Sequence, residues 1–325
     1  MPVPAMPTAE FVELWHACGG SIQEVARRSG LDMRDIARRR RRIEQRMRMA
    51  LPVGQDTKRP DMALKYAALS PREHKPRLHA EIGTGTVLVF SDAHFWPGIR
   101  SAAFRALVMF AENMKPAAIV CNGDAFDGAS ISRYPRIGWD SKPSVKEEIK
   151  ACTERLTEIE DSAGKARLYW PLGNHDERFE TRLAQVAPEF EGLNGFHLKD
   201  KFPKWAPCWS LFVNGCTVIK HRFKGGIHAT HNNTIWAGKT LVTCHLHSGK
   251  VTPFSDYNGT RWGVDTATLA DPNGPQFVDY SEDNPKNHRS GFAVLTYYKG
   301  MLLTPELVRV IDDSTVDFRG QIVHV

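Results

Sequence analysis

Five stretches of this sequence end in side chains that can bind a metal ion or carry a proton. In chain order they deliver Asp92 and His94, then Asp124, then Asn174 and His175, then His221, then His245 and His247. Carboxylate, amide and imidazole donors of this kind suit a pair of borderline divalent cations sharing one carboxylate. Mn, Fe, Zn or Ni fit such a set better than Ca or Mg alone. The six cysteines are scattered with no C-x-x-C pair, so there is no thiolate cluster of the structural-zinc type. Any one member reads equally as a satisfied polar turn residue. Five in succession do not.

Each group follows a short apolar run that reads as a buried strand: residues 86–90, 117–121, 166–170, 216–220 and 240–243. Helical patterns over 100–113 and 144–161 separate the first three, giving β-α-β-α-β and hence a largely parallel, right-handed sheet with covered faces. Asn214-Gly215 marks a hairpin. Gly291 to Tyr298 and Leu307 to Ile311 read as closing strands. Between them, Pro253 to Pro285 reads as an irregular insertion at the strand-end rim, and the loop from Gly225 to His231 as a flexible flap able to close over substrate.

The chain has 325 residues, of which 42% are hydrophobic, enough for one large domain or two. It contains no run of roughly 18 apolar residues, which excludes a helical membrane span. Its first residues lack the basic-then-apolar order of a secretory signal, and free thiols suit a reducing compartment. The expectation is a cytoplasmic protein of a bacterial or phage-infected cell. The first 50 residues hold ten arginines and six acids, a net of +4 out of a total of +6. Here a helix over 8–18, a second capped by Ser21 with Glu24, a Ser29-Gly30-Leu31 turn and a basic helix capped by Asp32 are similar to a helix-turn-helix module. Arg34 and the run Arg38, Arg39, Arg40, Arg41, Arg42 are the candidate nucleic-acid contacts, with the run surrounding the helix rather than striping it. A protein-docking arm is the alternative. Residues 51–80, with four prolines, read as a linker with one helical turn around Met62 to Leu69.

The ordered set D-x-H (Asp92, His94), G-D-x-x-D (Gly123, Asp124, Asp127), G-N-H-D (Gly173 to Asp176), His221 and H-x-H (His245, His247) resembles the calcineurin-like metallophosphoesterases. The resemblance implies an α/β fold, an αββα sandwich over residues 81–325, behind the all-α basic module of residues 1–50. It implies that Asp92, His94 and His247 hold one cation and Asn174, His221 and His245 a second, with Asp124 shared, Mn being the first candidate. His175 would protonate the leaving oxygen or stabilise the transition state, and Asp127 would orient a histidine. Family members often carry glycine where Arg222 and Cys244 stand here. Arg178 and Arg222 are candidate contacts to substrate phosphate, the alternative for Arg222 being a surface ion pair. Cys244 falls on the opposite strand face from His245 and reads as packing. The implied activity is phosphoester hydrolysis. The basic module makes DNA the expected partner and a nucleic-acid phosphodiester the expected substrate, in a layout similar to phage and prophage metallophosphoesterases and DNA-repair exonucleases. The alternatives are a phosphatase or phosphodiesterase for proteins or small nucleotides, and a DNA-binding regulatory or packaging factor with an inactive site. The intact ligand set weighs against the last.

Overall fold

The computed structural model describes residues 6–52, 74–134, 139, 141–281, 284 and 286–325. The chain divides into two compact units, Met1–Arg72 and Glu73–Val325. The helical turn expected around Met62 to Leu69 lies outside the described residues.

In the first unit, α1 (Thr8–Ala17), α2 (Ile22–Ser29) and α3 (Met33–Met47) enclose Phe11, Trp15, Val25, Ile36, Ile43 and Leu51. Side-chain caps start α2 and α3: Ser21 accepts from the Glu24 amide, and Asp32 from the Arg34 amide at 2.7 Å. Gly30 ends α2 in the left-handed region at φ 69°. The Glu24 carboxylate is drawn to Arg27 and Arg28. The arginine run does not surround α3 evenly. The Arg39 guanidinium lies 4.9 Å over the Phe11 ring and donates to the Met6 carbonyl. That of Arg40 lies 5.6 Å over Trp15 and 3.4 Å from Glu44. These two close the core edge through their stems and rings. Arg34, Arg38, Arg41 and Arg42 remain exposed at i, i+4, i+7 and i+8, which is one helix face.

The second unit is built on two packed sheets. The larger runs β15 (Gln321–His324), β14 (Thr315–Phe318), β13 (Glu306–Asp312), β11 (Gly291–Tyr298), β2 (Gly85–Phe90), β3 (Ala118–Cys121), β4 (Arg167–Pro171) and β5 (Ala206–Cys208), with β12 (Met301–Leu302) on β11. Its centre, from β2 to β5, is parallel; β11 to β15 extend it antiparallel. The smaller sheet has the order β1 (Leu78–Ala80), β6 (Leu211–Val213), β7 (Thr217–Ile219), β8 (Thr240–Thr243), β10 (Gly259–Asp265), β9 (Lys250–Asp256).

Strand alternation divides the apolar residues between two cores. Val87, Val89 and Val120 face the smaller sheet, where Val213, Ile219, Val242 and Val264 meet them. Leu88, Phe90 and Ile119 face α4 (Ala102–Met114) and α5 (Val145–Ser162) through Phe104, Leu107, Leu156 and Ile159. A complete capping box, Ser144 with Glu147, starts α5. On the far side, α7 (Ala229–Ala237) packs on β8, β9 and β10. The layers are therefore helix, sheet, sheet, helix.

Three expectations are corrected. The linker does not reach residue 80, because Leu78–Ala80 pairs in parallel with Leu211–Val213. Residues 250–265 are a regular hairpin that extends the smaller sheet. Pro253 is tolerated because β9 is the edge strand. The 225–231 segment is not a free flap: His228 stands at the start of α7, and His231, within that helix, packs edge-on against Phe254. The α7 backbone approaches so closely that a Cβ at Gly263 would collide with the Thr230 carbonyl.

Trp15 is fully buried in a core of seven residues. Replacing a buried Trp by Ala typically costs about 3–5 kcal/mol, similar to the whole stability of so small a domain. Trp15→Ala is expected to unfold the first unit alone. Calorimetry should show one transition lost, with the transition of the second unit and its metal binding retained.

Candidate metal centre and substrate groove

The loops after β2, β3, β4, β7 and β8 converge at one end of the sheets. Most candidate ligands there sit on strained backbone. Asp92, His94, Asp124, His245 and His247 all have φ between 39° and 69°. Such angles are uncommon outside glycine and gather where function demands them. Two glycines make the close approach possible. A Cβ at Gly123 would lie 2.6 Å from His221 Nδ1, and one at Gly173 would collide with the Asp124 carboxylate.

Asp92 is fully buried at the centre, with Oδ1 2.9 Å from His247 Nε2, 3.8 Å from His94 Nε2 and 4.0 Å from His221 Nε2. Burial opposes its charge, but His247 and His221 outweigh burial and hold it well below the usual carboxylate range. Asp124 Oδ2 lies 3.1 Å from His221 Nε2, and Oδ1 accepts the His175 backbone N–H at 2.8 Å. Donor atoms of Asp92, Asp124, His221 and His245 fall within 4.8 Å of one another, as do those of Asp92, His94 and His247. Asp92 is thus the carboxylate common to both groups in this geometry, whereas the resemblance implied Asp124.

The donor set fits cations. Among the described residues Asn174 Oδ1 is buried without a hydrogen-bond partner and His221 Nε2 meets only the Asp124 carboxylate at 3.1 Å, which is costly unless something else satisfies them. The ring nitrogens are also divided between tasks. His221 Nδ1 is 2.8 Å from the Asn122 carbonyl and His94 Nδ1 is 2.9 Å from Asp127, so each Nε2 turns toward the carboxylates. Burial disfavours the imidazolium of His94, but Asp127 and Asp92 overcome it and push its pKa to about 10. Against the same burial, Asp124 and Asp92 raise His221 to about 9.

Asp127 Oδ1 also receives His175 Nδ1 at 2.8 Å. Two histidines on one oxygen at hydrogen-bond length make Asp127 an orienting group. The His175 ring lies 4.7 Å edge-on from that of His94, with Nε2 3.9 Å from Asp124 Oδ2 and 3.1 Å from Arg178 Nη2. Arg178 donates in addition to the Asp127 carbonyl at 2.9 Å.

Three residues here escaped the sequence reading. Asp176, the last of G-N-H-D, accepts the N–H groups of Asp124, Ala125, Phe126 and Gly173 and the Trp170 indole N–H, between 2.8 and 3.2 Å. It binds the loop after β3 to the loop after β4. Glu148 on α5 accepts from the Gly128 and Ala129 amides at 2.6 and 2.9 Å. Burial, then Asp127, raises its pKa to about 7. His288 lies with Nδ1 3.4 Å from His247 Nδ1, and burial with His247 lowers its pKa to about 4. Spacing could have flagged Asp176; nothing in the sequence marks the other two.

A groove of about 1380 Å³ opens over these residues, lined by Arg178 and by exposed Arg222. No ion pair to Arg222 occurs among the described residues. Cys244 is buried and donates to the Ala267 carbonyl, away from the groove. His228 and His231 do not line it. Arg34 and Arg38 to Arg42 belong to the first unit.

The sequence matches the calcineurin-like phosphoesterase family over residues 85–289, and the chain belongs to that family. Among solved structures it is similar to wild-type Vps29 from Entamoeba histolytica complexed with zinc, at 13% identity and a TM-score of 0.37, covering 74% of this chain and 98% of that one. No curated protein matches it.

Metal uptake must displace the protons that Asp92, Asp124 and Asp127 hold on His94 and His221. Both imidazoles carry their proton below about 9 in the metal-free protein. Rising pH removes the competing protons, so apparent affinity for Mn or Zn is expected to climb from neutrality through pH 9–10. Titration calorimetry in buffers of different ionisation enthalpy should read net proton release on binding. Affinity independent of pH would contradict this.

Proposed function

We propose that the chain hydrolyses phosphodiester bonds of nucleic acid, most naturally DNA, with two divalent cations at the loop ends. Mn is the first candidate and Fe, Zn or Ni the others. The observation that carries this is the ligand set around Asp92, with Asn174 Oδ1 beside it buried and unpartnered among the described residues. Asp92, His94 and His247 would hold one cation, and Asn174, His221 and His245 with Asp124 the other, Asp92 standing in both donor groups. A bound pair of such cations supplies an activated water and charge neutralisation at phosphorus.

The protein's own groups do the rest. Asp127 fixes His94 for ligation and His175 for catalysis through one oxygen. His175 presents Nε2 to the groove, where it protonates the departing oxygen or stabilises its charge. Asp127 Oδ1 lies 2.8 Å from Nδ1, and the Arg178 guanidinium, 3.1 Å from Nε2 and able only to donate, vacates that nitrogen as it turns to the phosphate. Arg178 and Arg222 meet the phosphate. His175→Ala is expected to lower kcat by on the order of 10²–10⁴ on esters with alkoxide leaving groups, with metal content retained. The loss should shrink on bis-para-nitrophenyl phosphate, whose leaving group needs no proton. Equal losses would remove the acid role.

For the substrate, support comes from the one-sided arginine face of α3, which suits a phosphate backbone in a helix-turn-helix-like module. Arg34→Gln, Arg38→Gln, Arg41→Gln and Arg42→Gln together are expected to flatten the log–log salt dependence of DNA binding by about 0.9 per lost contact. Arg39→Gln with Arg40→Gln should lower stability and leave that slope in place. A slope unchanged by the first set would count against a DNA role for this unit, and a protein-docking phosphatase would move ahead.

A further inference from the structure

The groove is larger and chemically richer than a single phosphoester needs. At about 1380 Å³ it exceeds the roughly 300–1,000 Å³ of ordinary small-molecule pockets. Beyond the metal ligands and the His175 pair, its lining carries Arg133, Lys142, Arg182, Lys220 and Arg222. Among the described residues, Glu177 is the one acid of that outer lining, and burial with the neighbouring Glu180 raises its pKa to about 7. No ion pair to Arg133, Arg182, Lys220 or Arg222 occurs among the described residues. Arg133 and Lys220 lie over the Tyr134 and Phe223 rings, so no carboxylate among the described residues neutralises the four.

Aromatic rings lie among these cations. Tyr134 is 63% exposed and Trp209 39% exposed, and both line the groove, as does half-buried Trp96. Tyr134 is braced from one side: the Arg133 guanidinium lies 5.0 Å over its ring and donates to its hydroxyl at 3.0 Å. His74 meets Trp209 edge-on at 5.2 Å. Rings held in place yet open to the groove offer faces on which a base can stack. Cations interleaved with open rings match a strand whose bases are free to stack. A duplex keeps its bases within its own stack and offers the groove phosphates alone.

We infer that the groove is a track for single-stranded nucleic acid, DNA or RNA, in which unstacked bases lie on Tyr134 and Trp209 and the backbone follows Arg133, Arg182, Lys220 and Arg222. This rests on the phosphodiesterase reading above and specifies the form of nucleic acid the site accepts.

The test uses the full chain reconstituted with Mn, acting on oligo-dT and oligo-U from the dinucleotide to the octanucleotide, and on a mixed-sequence oligonucleotide of about 20 residues, long enough to stay paired, as single strand and as duplex. kcat/KM is expected to rise with length and to favour the single strand over the duplex by about tenfold, the scale of one base–ring stack. The dT and U series separate DNA from RNA. Tyr134→Ala and Trp209→Ala should each flatten the length dependence, chiefly through KM, and Tyr134→Phe and Trp209→Phe should restore it. Turnover independent of length, preference for the duplex, or Ala variants that lower kcat equally on dinucleotide and octanucleotide would overturn the track. Failure to hydrolyse any diester, bis-para-nitrophenyl phosphate included, would overturn the phosphodiesterase reading instead.

Discussion

Four aspartates, Asp92, Asp124, Asp127 and Asp176, are buried within one cluster of loops, and compensating that charge governs the arrangement around them. A carboxylate taken out of water is costly unless it is paired and hydrogen-bonded. The four are compensated in three ways. Asp92 and Asp124 are surrounded by imidazoles, Asp127 takes the Nδ1 of two histidines, and Asp176 gathers five N–H donors. The first pair is satisfied by the Nε2 atoms of His247 and His221, which a cation can replace as the carboxylates' partner. The second pair is satisfied by groups that stay. That division separates the residues that bind from those that hold the binders in place. Asp176 shows how strong the penalty is: burial and then Asp124 raise its pKa even with those donors in place.

The loops can carry this load because the sheets beneath them are rigid. β2, β3 and β4 are packed on both faces, by Val87, Val89, Val120 and Tyr169 on one side and Leu88, Phe90, Ile119 and Trp170 on the other. Strand ends fixed in this way allow the next residues to adopt conformations that a mobile loop would relax. Five of the eleven non-glycine residues with positive φ among the described residues are candidate metal ligands. Strain there is the consequence of turning a side chain back over the strand end that delivers it. Gly123 and Gly173 serve the same end by vanishing, since a methyl at either would occupy the place of a ligand.

Much of this was legible because the sequence concentrates its chemistry at strand ends, where an apolar run followed by Asp, Asn or His is a local signal. The central strands, α4, α5 and the Asn214-Gly215 hairpin are written in short-range patterns of that kind. What escaped depends on distance in the chain. Leu78–Ala80 is three residues long and becomes a strand only because Leu211–Val213 is there to pair with it. The hairpin of β9 and β10 had its turn signal in Asn258-Gly259, but Pro253 and the polar flanks concealed it; an edge position makes both acceptable. The arginine run looked uniform because spacing cannot tell which cations find a ring. Phe11 and Trp15, over twenty residues earlier, recruit Arg39 and Arg40 and leave the others on one face.

Glu148 shows most clearly how the layers become one device. It sits on α5, in the helical layer, and contributes no atom to the groove. Its carboxylate nevertheless fixes the Gly128 and Ala129 amides, immediately after Asp127. Asp127 in turn sets the rings of His94 and His175. The backbone turn that aims Asp127 is therefore held by a helix from behind, while Asp176 holds the preceding residues from beside. Two buried acids fix the two ends of one six-residue loop, and the ligand Asp124 and the orienting Asp127 lie between them. Burial and the charge of Asp127 together bring Glu148 to a pKa of about 7. Only the ionised carboxylate offers both oxygens as acceptors, one to the Gly128 amide and one to that of Ala129. An amide would preserve one acceptor and lose the other, so the two amide donors make the carboxyl the better fit than the glutamine of equal size.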